Sequence, residues 1–213
     1  MKTCVLSESP ADEAAIRILI EGLRGLRTES VPARPLHGRG VQAVLAVLEA
    51  VLRDLHYHTD AEALAIVVDS DHSPVHTETH DCPGAADPAC RLCVLRKIAQ
   101  NVRARLRPRS HQPQLRLAFG LAVPAIEAWY LCGRKMQISE AVWSKGLATS
   151  KLPYLSNGLK KELYGTERVS LAKETEIATK EAQRIVGNPN ALELLQSSFP
   201  GGFGPFARDV RAW

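Results

Sequence analysis

Several features that define other classes of protein are missing from this chain of 213 residues. It has no run of about 18 apolar residues, which argues against a transmembrane helix, and its short apolar start lacks a signal-peptide pattern. Five cysteines are an odd number, and they are too few for a disulfide scaffold of this length. No glycine-rich P-loop is present. We therefore expect a soluble, cytoplasmic protein with no membrane partner.

The overall composition is that of an ordinary globular domain. Hydrophobic residues make up 45 % of the chain and charged residues 23 %, which excludes a disordered chain, a coiled coil or a collagen-like repeat. The length suits one domain with appendages or two small domains.

Acidic residues are absent from residues 89–126, although the whole chain carries a net charge of only +4. This basic stretch contains eight cationic residues, so the rest of the chain has a net charge of −4. The stretch is either a solvated helix face or a surface that binds nucleic-acid phosphates. The predicted phosphate contacts are Arg96, Lys97, Arg103 and Arg107, of which the three arginines recur at helical spacing.

Hydrophobic patterning predicts an α/β fold in which strands and helices alternate, as in a mostly parallel sheet flanked by helices. Ser9 is expected to cap the first helix. The apolar run that ends at Asp69 is typical of a strand buried on both faces. Strands are predicted at 2–7, 30–36, 63–68 and 115–123, helices from 10 and at 41–55, 92–106 and 125–131, and turns or loops at 38–40 and 201–206.

Acidic residues follow three of the predicted strands. Glu8 ends the first strand, Asp12 lies one helical turn later, and Glu127 follows the fourth strand. Asp69 and Asp71 close the third strand, where positions two apart point the same way. Ligand sites of open α/β sheets lie at this carboxyl edge, and crowded carboxylates favour a hard cation such as Mg²⁺ or Mn²⁺. Taken singly, each acid could equally be a helix-start, turn or surface residue.

Three segments together resemble the Toprim fold of topoisomerases, primases and OLD-type nucleases. They are residues 8–12 (Glu-Ser-Pro-Ala-Asp), 67–71 (Val-Val-Asp-Ser-Asp) and 124–131 (Pro-Ala-Ile-Glu-Ala-Trp-Tyr-Leu). The third segment is similar to the Ile-Glu-Ala-Trp signature of an uncharacterised bacterial family of Toprim-like proteins, whose members often accompany ATPases and are suspected of phage defence. The resemblance covers roughly residues 2–135.

The resemblance implies a role for each acid. Glu8 is the general acid/base or a metal ligand, Asp69 and Asp71 hold Mg²⁺, and Asp12 with Glu127 serves a second ion. Lys160 is assigned to stabilise negative charge in the transition state. Two departures from the family pattern are that Ser9 replaces a glycine and that Asp12 is shorter than the usual Glu.

A second metal site is predicted between residues 72 and 93, which contain three histidines and three cysteines. The Cys90-x-x-Cys93 spacing places two thiolates on one Zn²⁺, with Cys82 and either His80 or His76 completing a tetrahedron. A metal would order a loop that has little apolar surface to bury. Alternatives are unliganded thiols and histidines, or a catalytic His72 or His76 at the acidic site. Cys4 and Cys132 are expected in the core.

These features predict a Toprim-like domain at residues 1–135, with a zinc-stapled insertion at 70–93, followed by a helical extension at 136–213. The leading function is Mg²⁺-dependent cleavage of phosphodiester bonds in DNA or RNA, with an ATPase protein as partner. A homodimer is also considered. The alternatives are a non-catalytic module that binds nucleic acid or an ATPase, and an enzyme that acts on small phosphorylated ligands.

Overall fold

A computed structural model describes residues 1–33, 40–108, 113–134 and 138–213. A four-stranded parallel sheet with the order β2-β1-β3-β4 forms its centre. The strands are β1 (Lys2–Leu6), β2 (Glu29–Ser30), β3 (Ala63–Asp69) and β4 (Arg116–Ala122). The helices are α1 (Pro10–Arg24), α2 (Val41–His58), α3 (Arg91–Arg103), α4 (Glu127–Leu131), α5 (Glu140–Ala148), α6 (Ser156–Tyr164), α7 (Leu171–Val186), α8 (Pro189–Ser198) and α9 (Phe203–Arg211). The predicted α/β fold with a parallel sheet flanked by helices is confirmed.

The central strand β3 is apolar because helices cover both of its faces. Residues 63–68 are all buried, and the strand pairs with β1 on one side and β4 on the other. Both sides of a strand in such a position must be apolar, which explains the uninterrupted run in the sequence.

The second strand is shorter than the predicted segment 30–36. It comprises only Glu29 and Ser30, at the edge of the sheet beside β1. Pro32 has no N–H to donate to a strand ladder, so the pairing ends before it. Residues 34–39, which include the rest of this predicted strand and most of the predicted turn at 38–40, lie outside the described residues.

The first helix begins as predicted, whereas the third helix is shorter than predicted. The Ser9 hydroxyl accepts a hydrogen bond from Asp12 N at 3.2 Å and so caps α1 as expected. Helix α3 ends at Arg103, three residues before the predicted end, so Arg107 follows the helix and does not share its face.

The C-terminal helices pack directly onto the sheet layer. Helix α7 lies against α1, where a Cβ on Gly22 would be 2.2 Å from Val186 Cγ1, so a glycine is needed for this approach. Helix α9 covers β4. The predicted domain boundary between residues 135 and 136 lies outside the described residues.

The prediction of a loop at 201–206 is wrong, because α9 begins at Phe203. The expected packing of its aromatic side chains does occur. The rings of Phe203 and Trp129 meet edge to face at 5.0 Å, and the Phe206 ring lies 6.2 Å from Trp129. Burial of these rings stabilises a helix in this segment despite its glycines and proline.

No helix in the described part of the chain is both long and apolar enough to cross a membrane.

The turn before α9 leaves no room for a side chain, and this gives a test of the packing of α9 on β4. A Cβ on Gly202 would lie 1.9 Å from the Leu121 carbonyl oxygen. We expect Gly202→Ala to lower the free energy of unfolding by about 2–4 kcal/mol in urea titrations, because backbone must move. Gly158→Ala is the control, since nothing lies within 4 Å of its Cβ position. Equal stability of the two variants would contradict the close packing.

Candidate active site and metal centre

Five of the six predicted catalytic residues line one cavity at the carboxyl edge of the sheet. The cavity has a volume of about 610 Å³. We call it the acidic cavity, and its predicted residues are Glu8, Asp12, Asp69, Glu127 and Lys160. The sequence separates these residues by up to 152 positions, and the parallel sheet brings them together because its strands all end at this edge.

Neighbouring elements orient three of the carboxylates. Glu8 Oε1 accepts a hydrogen bond from Asp69 N at 2.9 Å, and Asp69 Oδ1 accepts one from Ile126 N at 2.9 Å. Asp12 Oδ2 accepts a hydrogen bond from the Ser9 hydroxyl at 2.9 Å. The ends of β1, β3 and β4 are therefore linked through side chains of the cavity.

Glu127 is the most enclosed of the acids. The residue is 2 % exposed, and its Oε1 lies 3.8 Å from Lys160 Nζ of helix α6. Its Oε2 has no hydrogen-bond partner in the part of the chain that the structure describes. A buried, unpartnered carboxylate oxygen is costly, so it marks a place where a ligand would be stabilising.

Burial and mutual repulsion raise the pKa values of the cavity acids. Burial, together with the charges of Glu127, Glu174 and Glu8, raises the pKa of Asp12 to about 7. The same two causes raise the pKa of Asp69 well above its usual 3.8. Burial also raises the pKa of Glu8 and of Glu127, although the positive charge of Lys160 opposes this rise at both residues. A cation bound near these groups would favour their ionised forms.

Asp71 lies near Asp69 and Glu8, since its negative charge contributes to the raised pKa of both, but its side chain is directed to Arg91. Strand β3 ends at Asp69, and Asp71 adopts a left-handed backbone with φ +46°, so the alternation of a strand no longer applies. Asp71 Oδ2 accepts a hydrogen bond from Arg91 Nη1 at 2.8 Å, and Asp71 does not line the acidic cavity.

Sequence reasoning missed the contribution of the chain between α6 and α7. Glu167, Arg168 and Glu174 line the acidic cavity, as does Glu13 of α1. Glu174 lies in the first turn of α7, where an acid is ordinary on local grounds. No local signal could have found it, because its place depends on the packing of α7 against α1.

A second cluster contains the predicted metal-binding thiols. The ligand atoms of His76, His80, Cys90 and Cys93 all lie within 4.8 Å of one another. His76 Nδ1 is 3.6 Å from Cys90 Sγ and 3.7 Å from Cys93 Sγ, and His80 Nδ1 is 3.7 Å from Cys93 Sγ. A tetrahedral zinc with ordinary bond lengths has sulfur–nitrogen edges of about 3.6 Å. This group, which we call the His/Cys cluster, could hold a metal ion and is compatible with a structural zinc.

The predicted ligand set is corrected at one position, since His76 takes the place assigned to Cys82. Cys82 is exposed at the end of a short 3₁₀ helix (Glu78–Asp81) and is not part of the cluster. His76 and His80 both belong to the cluster. Cys93 lies within α3 and Cys90 is its N-cap residue, so the Cys-x-x-Cys part of the prediction holds.

Asp81 and Arg96 support the His/Cys cluster from outside. Asp81 Oδ1 lies 3.2 Å from His76 Nε2 and 2.5 Å from Arg96 Nη1. Burial, with a contribution from Arg96, lowers the pKa of His76 to about 4, so its ring is neutral and able to bind a metal through Nδ1. A carboxylate on the other ring nitrogen is a common partner of metal-binding histidines.

The four predicted nucleic-acid contacts do not form one surface at the acidic cavity. Arg96 is engaged by Asp81, and Lys97 is exposed on α3. Arg103 Nη2 donates to Leu115 O, which precedes β4, so this end of α3 lies at the amino edge of the sheet. Arg107 follows, with its backbone against Tyr57. A nucleic acid that reached both Arg107 and the cavity would have to run along α3.

Comparisons of the chain with protein-family models, with curated proteins and with solved structures give no significant match.

The corrected ligand set predicts which cysteine variants lose metal. We expect about one equivalent of zinc per chain in the freshly purified protein. Cys93→Ser should lose it, because the cluster then has three ligands, whereas Cys82→Ser should retain it. Elemental analysis of the three proteins measures this. Loss of zinc from Cys82→Ser would restore the ligand set expected from the sequence.

The raised pKa of Asp12 predicts how the stability of the metal-free protein depends on pH. Between about pH 4 and pH 7 the folded state keeps a proton that the unfolded state has lost, so stability falls as the pH rises. In buffer that contains a chelator, Asp12→Asn should remove part of this decrease in stability with pH. The variant should be more stable than the wild type at pH 8 by on the order of 2–4 kcal/mol.

Urea unfolding at several pH values tests this, with Glu49→Gln as the control because Glu49 is an exposed partner of Arg53 on α2. A slope in Asp12→Asn as steep as in the wild type would contradict the assignment.

Proposed function

We propose that the chain is a Toprim-like, metal-dependent nuclease that cleaves phosphodiester bonds in DNA or RNA. The observation that supports this most is the convergence of Glu8, Asp12, Asp69 and Glu127 on one cavity at the carboxyl edge of a parallel sheet. The resemblance of the three sequence segments assigns nuclease chemistry to these same acids.

The donor atoms of the acidic cavity suit Mg²⁺ or Mn²⁺, because all of them are oxygens and one, Glu127 Oε2, is buried without a partner in the described residues. Among those residues, only the His/Cys cluster brings three or more candidate ligand atoms within 4.8 Å of one another. Magnesium commonly binds through one or two carboxylates, with water and substrate phosphate in the remaining positions. We therefore assign the cavity acids to a partly open site of this kind, with Glu8 and Asp69 as first candidates.

Such a cation, when bound, neutralises developing charge on the phosphate and activates water. The residues of the chain have the remaining tasks. Where Glu8 is not itself a ligand of the cation, it is the candidate general acid/base, and burial raises its pKa above the ordinary value. Lys160 places its ammonium group beside Glu127, in the same cavity, where it can stabilise negative charge on a transferred phosphate.

The proposal also includes a cellular compartment, a structural metal and partners. All five cysteines are free thiols, which is typical of a reducing compartment such as the cytoplasm. A structural zinc in the His/Cys cluster would fix the insertion. An ATPase partner and a role in phage defence are implied by the sequence resemblance alone, and a homodimer remains a prediction.

A non-catalytic binding module is the second candidate. Lys160 already neutralises Glu127, and Arg91 holds Asp71 outside the cavity, so two charged groups that a nuclease would use are paired within the chain. In that case, the exposed basic residues Lys97 and Arg107 would contact nucleic acid without cleavage.

The two candidates differ in metal-dependent cleavage. We expect the wild type to nick plasmid DNA or to cut RNA with Mg²⁺ or Mn²⁺ present. Asp69→Asn should lower the rate at least about 100-fold, because one carboxylate of the proposed cation site is lost. Glu49→Gln, a change of the same kind on the surface of α2, should leave the rate unchanged. Binding to nucleic acid with no cleavage under either cation would favour the binding module.

A further inference from the structure

The pairing of Asp71 with Arg91 bears on the proposed function, because the sequence assigns the Asp71 carboxylate to the metal site. Asp71 is not among the residues that line the acidic cavity, although Asp69, two residues earlier, lines it, and the charge of Asp71 contributes to the raised pKa of Asp69 and Glu8. The Asp71 amide donates to Pro124 O at 2.8 Å, which fixes the backbone. With the backbone held in this way, a rotation of the side chain would be needed to turn the carboxylate from Arg91 towards the cavity.

Arg91 is held in place at both ends. Its backbone follows Cys90, and Cys93 lies two residues later, so a metal in the His/Cys cluster would anchor the first turn of α3. Its Nη1 donates to Asp69 O at 2.6 Å as well as to Asp71 Oδ2 at 2.8 Å. The guanidinium is thereby fixed between the main chain of one cavity acid and the side chain of another.

The pair is also open to solvent and to a ligand. The side chain of Asp71 is 48 % exposed, and that of Arg91 is 23 % exposed. Ion pairs with this exposure contribute little to stability, so exchange of one anion for another costs little. A guanidinium binds a tetrahedral phosphate at least as readily as a carboxylate, because its planar donors match two phosphate oxygens.

We propose that Arg91 is a positioning residue that keeps Asp71 out of the acidic cavity until a phosphate group takes its place. The phosphate of a nucleic-acid substrate displaces Asp71 from Arg91. The freed carboxylate then turns into the cavity and strengthens cation binding. Substrate and cation binding are thereby coupled, and each increases the affinity for the other. This inference rests on the proposed cation site.

A double-mutant cycle on Mn²⁺ affinity, measured by calorimetry or by the electron paramagnetic resonance of free Mn²⁺, tests the role of Asp71. The proteins are the wild type, Arg91→Ala, Asp71→Asn and the double variant. We expect Arg91→Ala to bind Mn²⁺ about 10-fold more tightly. Asp71→Asn should weaken binding by less than about 3-fold when Arg91 is present and by about 10-fold when it is absent.

Removing a positive charge near the cavity would by itself increase the affinity for a cation, and the cycle separates this effect. If charge alone acts, Asp71→Asn has the same effect in both backgrounds, and the inference is overturned. Arg53→Ala removes an equal charge from α2 and controls for the net charge. Arg91→Gln gives a second variant that retains an amide donor in case Arg91→Ala does not fold, and it should also bind Mn²⁺ more tightly.

Sulfate, a tetrahedral dianion that resembles phosphate, tests the exchange. Replacing sodium chloride by sodium sulfate at equal ionic strength should increase the Mn²⁺ affinity of the wild type about 3-fold or more, but not that of Arg91→Ala or Asp71→Asn. An equal response in all proteins would overturn the exchange. Absence of Mn²⁺ binding in every protein would overturn the proposed function and this inference together, whereas binding that ignores Arg91 would overturn the inference alone.

Discussion

The crowding of carboxylates at one edge of the parallel sheet is the constraint on which the rest of this structure depends. Glu8, Asp12, Asp69 and Glu127 share a cavity, and burial raises the pKa of each. Such an arrangement opposes folding unless donors and cations compensate for it. The chain supplies the Asp69 and Ile126 amides, the Ser9 hydroxyl and the Lys160 ammonium group. The compensation is incomplete at Glu127 Oε2, which has no hydrogen-bond partner among the described residues.

The C-terminal helices complete this edge of the sheet. Helix α6 brings Lys160 and α7 brings Glu174 to the cavity, although both follow the segments that carry the Toprim resemblance. The Glu140 carboxylate, at the start of α5, accepts hydrogen bonds of 2.7 Å from both Gly201 N and Gly202 N. It therefore joins α5 to the turn that seats α9 on β4. The described C-terminal helices thus belong to the same packed unit as the sheet and its cavity.

Sequence patterns predicted the features that depend on residues close together in the chain. The buried run before Asp69, the Ser9 cap and the Cys-x-x-Cys spacing all express local geometry, and the structure contains each of them. The misplaced residues depend on geometry beyond the element itself. Asp71 does not continue the alternation of β3, because the chain turns after Asp69. His76 stands in the cluster where Cys82 was predicted, and ligand spacing alone does not give the path of the loop that places it there. Glu174 is found only through the packing of α7 against α1.

The start of α3 connects the two candidate sites through covalent structure. Cys90 and Cys93 face the His/Cys cluster, while Arg91 between them faces Asp69 and Asp71. Residues one apart on a helix point in different directions, so a single turn can serve both sites. A metal in the cluster would limit the motion of Arg91, since the backbone on either side of it would be tied to ligands. A structural metal in this loop would therefore help to hold Arg91 against Asp69 and Asp71 at the end of β3.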